Sequence, residues 1–516
     1  MPNRSMVCFI GAGPGDPGLL TLRGAAYLGR ADVVVYDRLV HTAVLRHARP
    51  GAERIDVGRA APQGTDRDAI AYLLVEKVRE GKKVARLKWG DPFIFDDGGE
   101  EALFLHEHGI PFEVVPGVPA AVGTPAYAGV AVTYRGGGDT LTLVRGHEDA
   151  SGKIPKVDWT SLAKLDGTIV CYAGPSQLPE MLSALRDHGR PADEPVALIY
   201  NGTLVTQRTI VGTLGSLAEA ALPADSHPAI VVVGRVAALR EHLRWFDVKP
   251  LFGRRVVVTR PREQARELAE LLEDQGAQVI LAPTVRLASV DDHAELDAAC
   301  ADISRFDWVV LPTLSGAEVF LKRMFSSGID FRNLKGVALC AIGQSSVQRF
   351  ADVGLRVDVA RAEFRPDAIV EALSAGKGLR DRRVLLLQAE GARDILASEL
   401  RKAGADVVEV GAYRTVRVMP GDPGEPDLYK MLLEQQVDVI TFTSPSTVLE
   451  FVDIHGKDAV ADVLRTTLVA CVGPVTAQAA IALGLMPAVV PEEFTMSALV
   501  AAIVRQLRVP GAPAGG

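Results

Sequence analysis

The first strand and turn of this chain limit its fold more than any other segment. The apolar run Val7–Ile10 leads directly into the turn Gly11–Asp16, and Leu19–Leu22 begins a helix after it. This order predicts a buried parallel strand whose carboxyl end opens onto a ligand crevice. A dinucleotide-binding turn needs glycine where Asp16 stands, and Pro14 lacks the backbone N–H that a pyrophosphate would use. The turn therefore favours a neutral or cationic ligand, and S-adenosylmethionine before NAD.

Length and composition exclude several classes of protein. A chain of 516 residues is expected to form about three or four domains. Its net charge of −8, without any lysine or arginine block, argues against nucleic-acid binding. The sequence offers no apolar run long enough to span a membrane and no export leader, so we expect a cytoplasmic protein. The five cysteines lack paired spacing, which argues against a disulfide framework or a structural zinc site.

The order of apolar runs predicts an α/β fold in two halves. Short β-branched runs alternate with longer Ala/Leu/Glu segments, the pattern of βαβ units. We predict a first half at 1–245 with lobes at about 6–115 and 116–245, and a linker at 246–253. The aromatic residues of the linker favour a docked segment. A second half is expected at 254–508, and 509–516 is predicted to be a disordered tail.

The second half contains an internal repeat. Asp307–Ser315 is echoed by Asp438–Ser446 about 130 residues later, and further matches continue to Glu493. We infer two similar α/β lobes, one formed by 254–284 plus 415–508 and the other by 285–414, with a ligand cleft between them. Because the first copy has Leu311 and Pro312 at its loop, we expect the second copy to supply more of the site's hydroxyls.

Both halves resemble known enzyme families. Residues 6–245 resemble uroporphyrinogen-III C-methyltransferases through the motifs GAGPGD (11–16), YDRLV (36–40), GDPFIF (90–95), GGEE (98–101), PAYAG (125–129), VTYRG (132–136) and GT (202–203). Residues 254–505 resemble uroporphyrinogen-III synthases through VVTRP (257–261), AIG (341–343), VGAYRT (410–415), FTSPS (442–446) and VGPVT (472–476). The resemblance implies a two-lobed tetrapyrrole methylase fold followed by a two-lobed synthase fold with parallel sheets.

For the first half, the resemblance implies that S-adenosylmethionine methylates uroporphyrinogen III to precorrin-2, on the siroheme and cobalamin branch. It implies no metal, and we expect a homodimer through this half. Asp37 takes the family's proton-accepting position, and Arg59 stands at the proton-donating one. The residues at cofactor-binding positions are Pro14, Trp89, Gly90, Asp91, Ile94, Pro119, Ala120, Ala173 and Gly202.

Structural alternatives remain open for two of these residues. Asp91 could be a turn residue that caps the next helix, and Asp37 could start a loop or pair with Arg38. The chain also departs from the family's pattern. Trp89 replaces a glycine, Pro119 a hydroxyl residue, Ala173 a methionine and Arg59 a lysine, and Asp96-Asp97 replaces Gly-Arg. These changes motivate a second hypothesis, in which the first half is a non-catalytic binding or dimerisation module.

For the second half, the resemblance implies closure of hydroxymethylbilane into uroporphyrinogen III without a cofactor. Tyr413 matches the family tyrosine proposed to assist the leaving hydroxyl, although a tyrosine here could also only pack. The hydroxyl and cationic residues expected to bind the substrate's carboxylates are Thr259, Arg260, Ser444, Ser446 and Thr476. The hydroxyl residues could also be helix N-caps, and a third hypothesis makes this half a two-lobed ligand sensor. The fusion is chemically coherent, because the synthase product is the methyltransferase substrate.

Overall fold

The structure, a computed structural model, describes residues 5–49, 51–58, 67–146, 156–174, 177–222, 229–361, 365–376, 378–392, 395–419 and 426–508. Arg59 and the predicted tail at 509–516 lie outside the described residues. The chain divides into two compact units. The first comprises Met1–Arg254, Leu272–Gln278 and Leu507–Gly516, and the second comprises Arg255–Leu271 and Val279–Gln506. No described helix has the length and hydropathy needed to cross a membrane.

The first sheet of the first unit is entirely parallel. Its strands, in the order β3-β2-β4-β1-β5, are β1 (Val7–Gly11), β2 (Val33–Tyr36), β3 (Glu53–Asp56), β4 (Val84–Lys88) and β5 (Phe112–Val115). The helices of this part are α1 (Leu22–Leu28), α2 (Arg67–Arg79), α3 (Gly98–Glu107) and α4 (Ala120–Tyr127). In β1, Val7 and Phe9 join the core on one face, and Cys8 and Ile10 join the core on the other. This two-sided burial is typical of a parallel strand covered by helices.

The second sheet of the first unit is mixed. Its order is β6-β7-β10-β8-β9, with β6 (Leu141–Arg145), β7 (Thr168–Ala173), β8 (Pro195–Tyr200), β9 (Arg208–Thr213) and β10 (Ala229–Val233). Strands β6 and β7 are parallel, whereas β10 runs antiparallel to β7 and β8, and β9 runs antiparallel to β8. Four helices accompany it: α5 (Trp159–Ala163), α6 (Leu178–Asp187), α7 (Leu214–Ala218) and α8 (Arg240–Leu243).

The segment predicted as a docked linker packs by its aromatic side chains. The ring of Phe246 lies 4.7 Å from Tyr127 and 5.3 Å from Phe252, centroid to centroid. Trp245 donates its indole N–H to the carbonyl of Ala126 at 2.9 Å. These contacts hold the segment against the end of α4 in the first unit.

The second unit also has two sheets in its described part. Its strands are β11 (Arg255–Val258), β12 (Gln278–Leu281), β13 (Val285–Ser289), β14 (Trp308–Leu311), β15 (Ala338–Ile342), β16 (Val359–Arg361), β17 (Arg383–Ala389), β18 (Asp406–Arg417), β19 (Val439–Phe442), β20 (Leu468–Cys471) and β21 (Pro487–Val489). Its helices are α9 (Arg262–Asp274), α10 (Ala294–Ala301), α11 (Leu314–Ser326), α12 (Gln344–Asp352), α13 (Pro366–Ala375), α14 (Ile395–Lys402), α15 (Leu428–Leu433), α16 (Pro445–His455), α17 (Lys457–Val463), α18 (Pro474–Ala482) and α19 (Met496–Leu507).

The sheet orders agree with the internal repeat. One sheet runs β12-β11-β19-β20-β21, and the other runs β13-β18-β17-β14-β15-β16. The repeat copies correspond to β14-β15-β16 and β19-β20-β21, and β17 and β11 are their matching neighbours. Strands β13 and β18 pair antiparallel, with Val285 opposite Arg417. The α/β fold class with mainly parallel sheets is therefore confirmed.

Three strand ends of the first sheet meet at glycines. A Cβ on Gly117 would lie 2.2 Å from the carbonyl oxygen of Gly90 and 2.7 Å from Cα of Gly11. A Cβ on Gly11 would lie 2.4 Å from Cα of Gly117. Because these neighbours are backbone atoms, they cannot rotate away as a side chain would. Only glycine allows β1, β4 and β5 to end this close together.

We expect Gly117→Ala to destabilise the first unit by about 2–3 kcal/mol, the cost of overpacking against backbone. Gly99→Ala is the matched control, because nothing lies within 4 Å of a Cβ placed on this residue of α3. The measurement is urea unfolding of the full chain followed by tryptophan fluorescence, since Trp89, Trp159 and Trp245 belong to the first unit. Equal midpoints for the two variants would contradict the prediction.

Candidate active sites

The carboxyl ends of β1 and β4 form one side of the predicted cofactor crevice. Gly13 donates its N–H to the carbonyl of Gly90 at 3.2 Å, and Gly90 donates back to Gly13 at 2.9 Å. Gly90 has φ +66°, and a Cβ there would lie 3.2 Å from the nitrogen of Ala120. Pro119 stands at the N-cap of α4 and provides no side-chain cap. The turn that contains Pro14 thus lies beside Gly90 and the start of α4.

Trp89 connects this side of the crevice to the second sheet. Its indole N–H donates to the carbonyl of Pro14 at 2.9 Å, and its ring meets Tyr172 edge-on at 6.1 Å. Together with Ile94, the half-buried indole packs against an apolar cluster that includes Ala120. The indole thus occupies space within the crevice that a glycine would leave open.

Asp91 ties two loops together. Its Oδ1 accepts the N–H of Phe93 at 2.9 Å, and its Oδ2 accepts the N–H of Gly117 at 3.0 Å. The N-cap of α3 is Asp97, so Asp91 does not cap that helix. Its carboxylate instead fixes the loop after β4 to the segment after β5.

The carboxyl ends of β7 and β8 face this side from the second sheet. Ala173 is fully buried at the end of β7. Gly202 follows β8, and a Cβ there would lie 2.4 Å from Oγ1 of Thr124. The hydroxyl of Thr203 accepts the N–H of Asp16 at 2.9 Å, which joins this loop to the first turn. The structure thus brings the sequence-predicted cofactor residues together at the facing edges of the two sheets.

Asp37 belongs to a cluster of charged side chains on one face of the first sheet. Its Oδ1 accepts from Arg86 at 2.6 Å, and its Oδ2 lies 3.2 Å from the Lys88 ammonium. Arg86 also donates twice to Glu101, at 2.8 Å each. Lys88 contacts Glu101 at 3.0 Å and Asp96 at 2.6 Å. The cluster, defined as Asp37, Arg86, Lys88, Asp96 and Glu101, thus replaces the Arg38 pair considered from the sequence.

The cluster shifts the pKa values of its two most buried carboxyl groups in opposite directions. Burial alone would raise the pKa of Glu101, but Arg86 and Lys88 overcome it and hold that pKa at about 2. Burial raises the pKa of Asp96 to about 6, partly offset by Lys88. The pKa values of Arg86 and Lys88 are both raised, because the nearby carboxylates outweigh burial.

The second unit gathers polar groups at the carboxyl edge of β11, β19 and β20. Arg260 follows β11, is half-buried, and contacts the sulfur of Met496 at 3.4 Å. Burial lowers its pKa, and within the described part of the chain it forms no ion pair. Thr259 is fully buried and donates its hydroxyl to the carbonyl of Thr441 at 2.8 Å. This edge therefore presents an unpaired guanidinium, while the Thr259 side chain has a structural role.

Ser444 and Ser446 lie at the same edge. Ser444 is the N-cap of α16, and its hydroxyl accepts the N–H of Thr447 at 3.3 Å and shares a hydrogen bond with Ser446 at 2.9 Å. Thr476 is buried in the first turn of α18. The N-cap role expected as an alternative thus holds for Ser444, while the exposed Ser446 hydroxyl has room for a ligand.

Tyr413 lies in β18 of the other sheet and is 7% exposed. Its hydroxyl shares a hydrogen bond with Thr313 at 2.9 Å, and burial raises its pKa. Thr313 caps α11, and Ser315 accepts from the amide of Gln264 at 2.9 Å. Thr313 and Ser315 occupy the repeat positions of Ser444 and Ser446, so the first repeat copy also has hydroxyls at its loop. The expectation that the second copy supplies more of the site's hydroxyls stays a prediction.

Comparison with known proteins agrees with this two-part architecture. A family model described as tetrapyrrole (corrin/porphyrin) methylases matches residues 6–218, and one described as uroporphyrinogen-III synthase HemD matches residues 266–501. The porphyrin biosynthesis protein HemD of Ruminiclostridium josui is 36% identical over 481 residues, 92% of this chain and 93% of that protein. The chain belongs to the family of this two-part HemD protein. It is a porphyrin biosynthesis enzyme with a methylase unit and a synthase unit.

Other relatives match one unit each. Siroheme synthase of Escherichia coli (strain K12 / DH10B) is 44% identical over 248 residues, 48% of this chain and 53% of that protein. The chain thus spans about half the length of siroheme synthase. Among solved structures, uroporphyrin-III C-methyl transferase from Thermus thermophilus complexed with S-adenyl homocysteine is 35% identical, covering 46% of this chain and all (100%) of that one, with TM-score 0.41. A mutant uroporphyrinogen III synthase from the same species is 20% identical, covering 49% and 98%, with TM-score 0.37.

The sequence analysis missed the partners of two predicted site residues. Arg86 and Lys88 were not among the residues predicted from the sequence, yet their spacing places both on one face of β4 of the methylase unit. In the synthase unit, Thr313 was overlooked although the repeat places it at the position of Ser444. In both cases the spacing in the sequence held the signal.

We expect Glu101→Gln to destabilise the methylase unit by about 3–5 kcal/mol near pH 7, because it leaves Arg86 and Lys88 buried with too little negative charge. The stabilisation from ionised Glu101 is complete above about pH 4.5, its ordinary pKa, and is lost as the pH falls towards about 2. The difference from wild type should therefore shrink on acidification.

The exposed neighbour Glu100 provides the control. Glu100→Gln removes one carboxylate from the same turn of α3 and should change stability by less than about 0.5 kcal/mol. Urea midpoints of the full chain, read by tryptophan fluorescence at several pH values, compare the two variants. If Glu101→Gln lowers the urea midpoint no more than Glu100→Gln does, the cluster adds no stability.

Proposed function

We propose that this chain catalyses two consecutive reactions of tetrapyrrole biosynthesis. The synthase unit would close hydroxymethylbilane to uroporphyrinogen III, and the methylase unit would methylate that product to precorrin-2. One observation carries the proposal for the methylase unit: the predicted cofactor residues, dispersed from Pro14 to Gly202, meet at the facing edges of two sheets. Family membership over nearly the whole chain supports joining the two activities.

The charge of the crevice suits S-adenosylmethionine, because the carboxylate of Asp91 complements a positive charge. Gly90 lies against the backbone of Ala120, where a side chain would meet the Ala120 nitrogen. The residues that would hold the cofactor are Pro14, Trp89, Gly90, Asp91, Ile94, Pro119, Ala120, Ala173 and Gly202. When bound, S-adenosylmethionine supplies the methyl group as a sulfonium donor.

The chain's own contribution to methylation is positioning and proton transfer. The loop fixed by Asp91 would orient the donor against the pyrrole carbon, an effect that removes much of the entropic barrier. Asp37, at the accessible end of the charged cluster, is the proposed acceptor of the proton that the substrate loses. Arg59, outside the described residues, is proposed to bind a substrate carboxylate, since a guanidinium is a poor proton donor.

In the synthase unit the proposed roles follow from polarity. The unpaired Arg260 and the hydroxyls of Ser444, Ser446 and Thr476 would bind carboxylates of the linear substrate. Tyr413, linked to Thr313, would assist departure of the hydroxyl group by donating a hydrogen bond. The hydrogen bond of its buried hydroxyl to Thr313, beside Ser315, supports this role over packing alone.

The position of Trp89 favours one alternative, a methylase unit that binds a ligand without transferring methyl groups. Mass analysis of products from hydroxymethylbilane, with and without S-adenosylmethionine, separates the hypotheses. We expect uroporphyrinogen III without the cofactor, and with it a product heavier by two methyl groups. An unchanged mass would support the non-catalytic module. Failure to convert hydroxymethylbilane, together with binding of a tetrapyrrole, would support the ligand sensor.

Variants of one residue in each unit should separate the two activities. Asp91→Ala frees two backbone N–H groups and loosens the crevice, so cofactor affinity should fall about tenfold to a hundredfold, while ring closure stays at wild-type rate. Calorimetric titration with S-adenosylmethionine and a ring-closure assay measure the two effects. Equal loss of both activities would contradict the role of Asp91.

Tyr413→Phe should have the reverse effect. Ring closure should slow by about tenfold to a hundredfold through loss of the hydroxyl, while methylation of supplied uroporphyrinogen III stays unchanged. Tyr429→Phe, in α15 of the same unit, is the matched control, because Tyr429 stacks on His455 by its ring. If Tyr413→Phe closes the ring as fast as the Tyr429→Phe control, Tyr413 only packs and does not assist the reaction.

A further inference from the structure

The Lys88 ammonium is shared by three carboxylates. Its nitrogen lies 2.6 Å from Asp96 Oδ1, 3.0 Å from Glu101 Oε1 and 3.2 Å from Asp37 Oδ2. An ammonium group has three N–H donors, so each carboxylate can take one. Arg86 adds the only other positive charge of the cluster, giving two cations for three carboxylates.

The three carboxylates are held unequally. Glu101 accepts two hydrogen bonds from Arg86 and one from Lys88, and Asp37 is held by both cations. Among the described residues, Asp96 is held by Lys88 and by the backbone N–H of Asp97, at 2.7 Å. The fully ionised cluster carries excess negative charge, and Asp96 is the carboxylate of the cluster with the fewest cationic partners. Its raised pKa, about 6, follows from its burial.

Asp96 and Asp37 lie at the accessible end of the cluster. Their side chains are 17% and 27% exposed, whereas those of Arg86, Lys88 and Glu101 are 1%, 3% and 6% exposed. A change at Asp96 therefore reaches Asp37 through Lys88, while Arg86 and Glu101 stay fixed to each other.

We propose that Asp96 is a positioning residue for methyl transfer, which shares the Lys88 ammonium with Asp37 and so keeps the Asp37 carboxylate an effective proton acceptor. Asp96 and Asp37 take separate N–H donors of one ammonium, so a change at Asp96 alters how Lys88 holds the Asp37 carboxylate. The inference rests on the proposed role of Asp37. In the reaction the methyl–sulfur bond breaks, a carbon–methyl bond forms and the substrate proton passes to Asp37, whereas Asp96 exchanges no atom with the substrate.

The test is the pH dependence of methyl transfer by the full chain, with uroporphyrinogen III and S-adenosylmethionine supplied. In the wild type, the rate should fall on acidification through about pH 6, as Asp96 takes up its proton. In the pH–rate profile, Asp96→Asn should lower the plateau rate about threefold to tenfold. It should also move the acid limb, where the rate falls on acidification, to lower pH by about one unit. Asp96→Glu should restore the position of the limb, and Glu100→Gln should leave both quantities unchanged.

A readout without substrate accompanies the kinetics. Infrared difference spectra between about pH 5 and about pH 7 should show a carboxylic-acid band in wild type that is absent in Asp96→Asn, because ordinary carboxyls titrate near pH 4. Ring closure by the synthase unit and circular dichroism show that each variant is folded; if Asp96→Asn does not fold, Asp96→Glu must still keep the wild-type limb.

An Asp96→Asn enzyme with the wild-type limb would overturn the inference, even if its plateau were lower, since a merely structural role changes the rate alone. A wild-type difference spectrum without the expected carboxylic-acid band would overturn the inference as well. A wild-type enzyme that transfers no methyl group would instead contradict the proposed function itself.

Discussion

The close backbone contact of Gly11, Gly90 and Gly117 determines the geometry of the methylase crevice. A side chain on any of them would meet a neighbouring main chain, so the strand ends could not converge. The same convergence places the N–H of Gly117 within reach of Asp91 and the turn of Pro14 within reach of the indole of Trp89. Loops after separate strands thereby become one wall. The residues proposed to bind the cofactor can be far apart in sequence because the sheet, not the loops, fixes their positions.

The buried charges depend on that same sheet. Arg86 and Lys88 alternate with apolar residues on β4, so both side chains leave the sheet on the face covered by α3. Burying two cations is costly unless their partners are buried with them, and Glu101 meets that requirement from α3. Asp37 follows the neighbouring strand. In the pairing of β2 with β4, Tyr36 stands opposite Leu87, which puts Asp37 beside Lys88.

This register explains how far the sequence could predict the site. The run Val7–Ile10 and its turn predict a buried strand and crevice, because both signals are local. Asp37 was paired with Arg38 as an alternative, since a sequence shows neighbours along the chain but not across a sheet. The partners of Asp37 lie about fifty residues away and are set by strand register, which depends on the whole hydrophobic pattern. Thr313 is a different case from the partners of Asp37. The internal repeat assigns Thr313 the position of Ser444, so this residue could have been predicted from the sequence.

The two units present opposite charges at their proposed sites. The methylase unit has more carboxylates than cations in its cluster, and Asp91 adds another carboxylate at the crevice, which suits a cationic donor. The synthase unit leaves Arg260 without a described ion pair at an edge with serine hydroxyls, which suits a substrate rich in carboxylates. A guanidinium kept partly out of water without an anion costs free energy, and a substrate carboxylate would remove that cost. In the proposed function, this cost is recovered when a substrate carboxylate binds Arg260, which favours substrate binding at this edge.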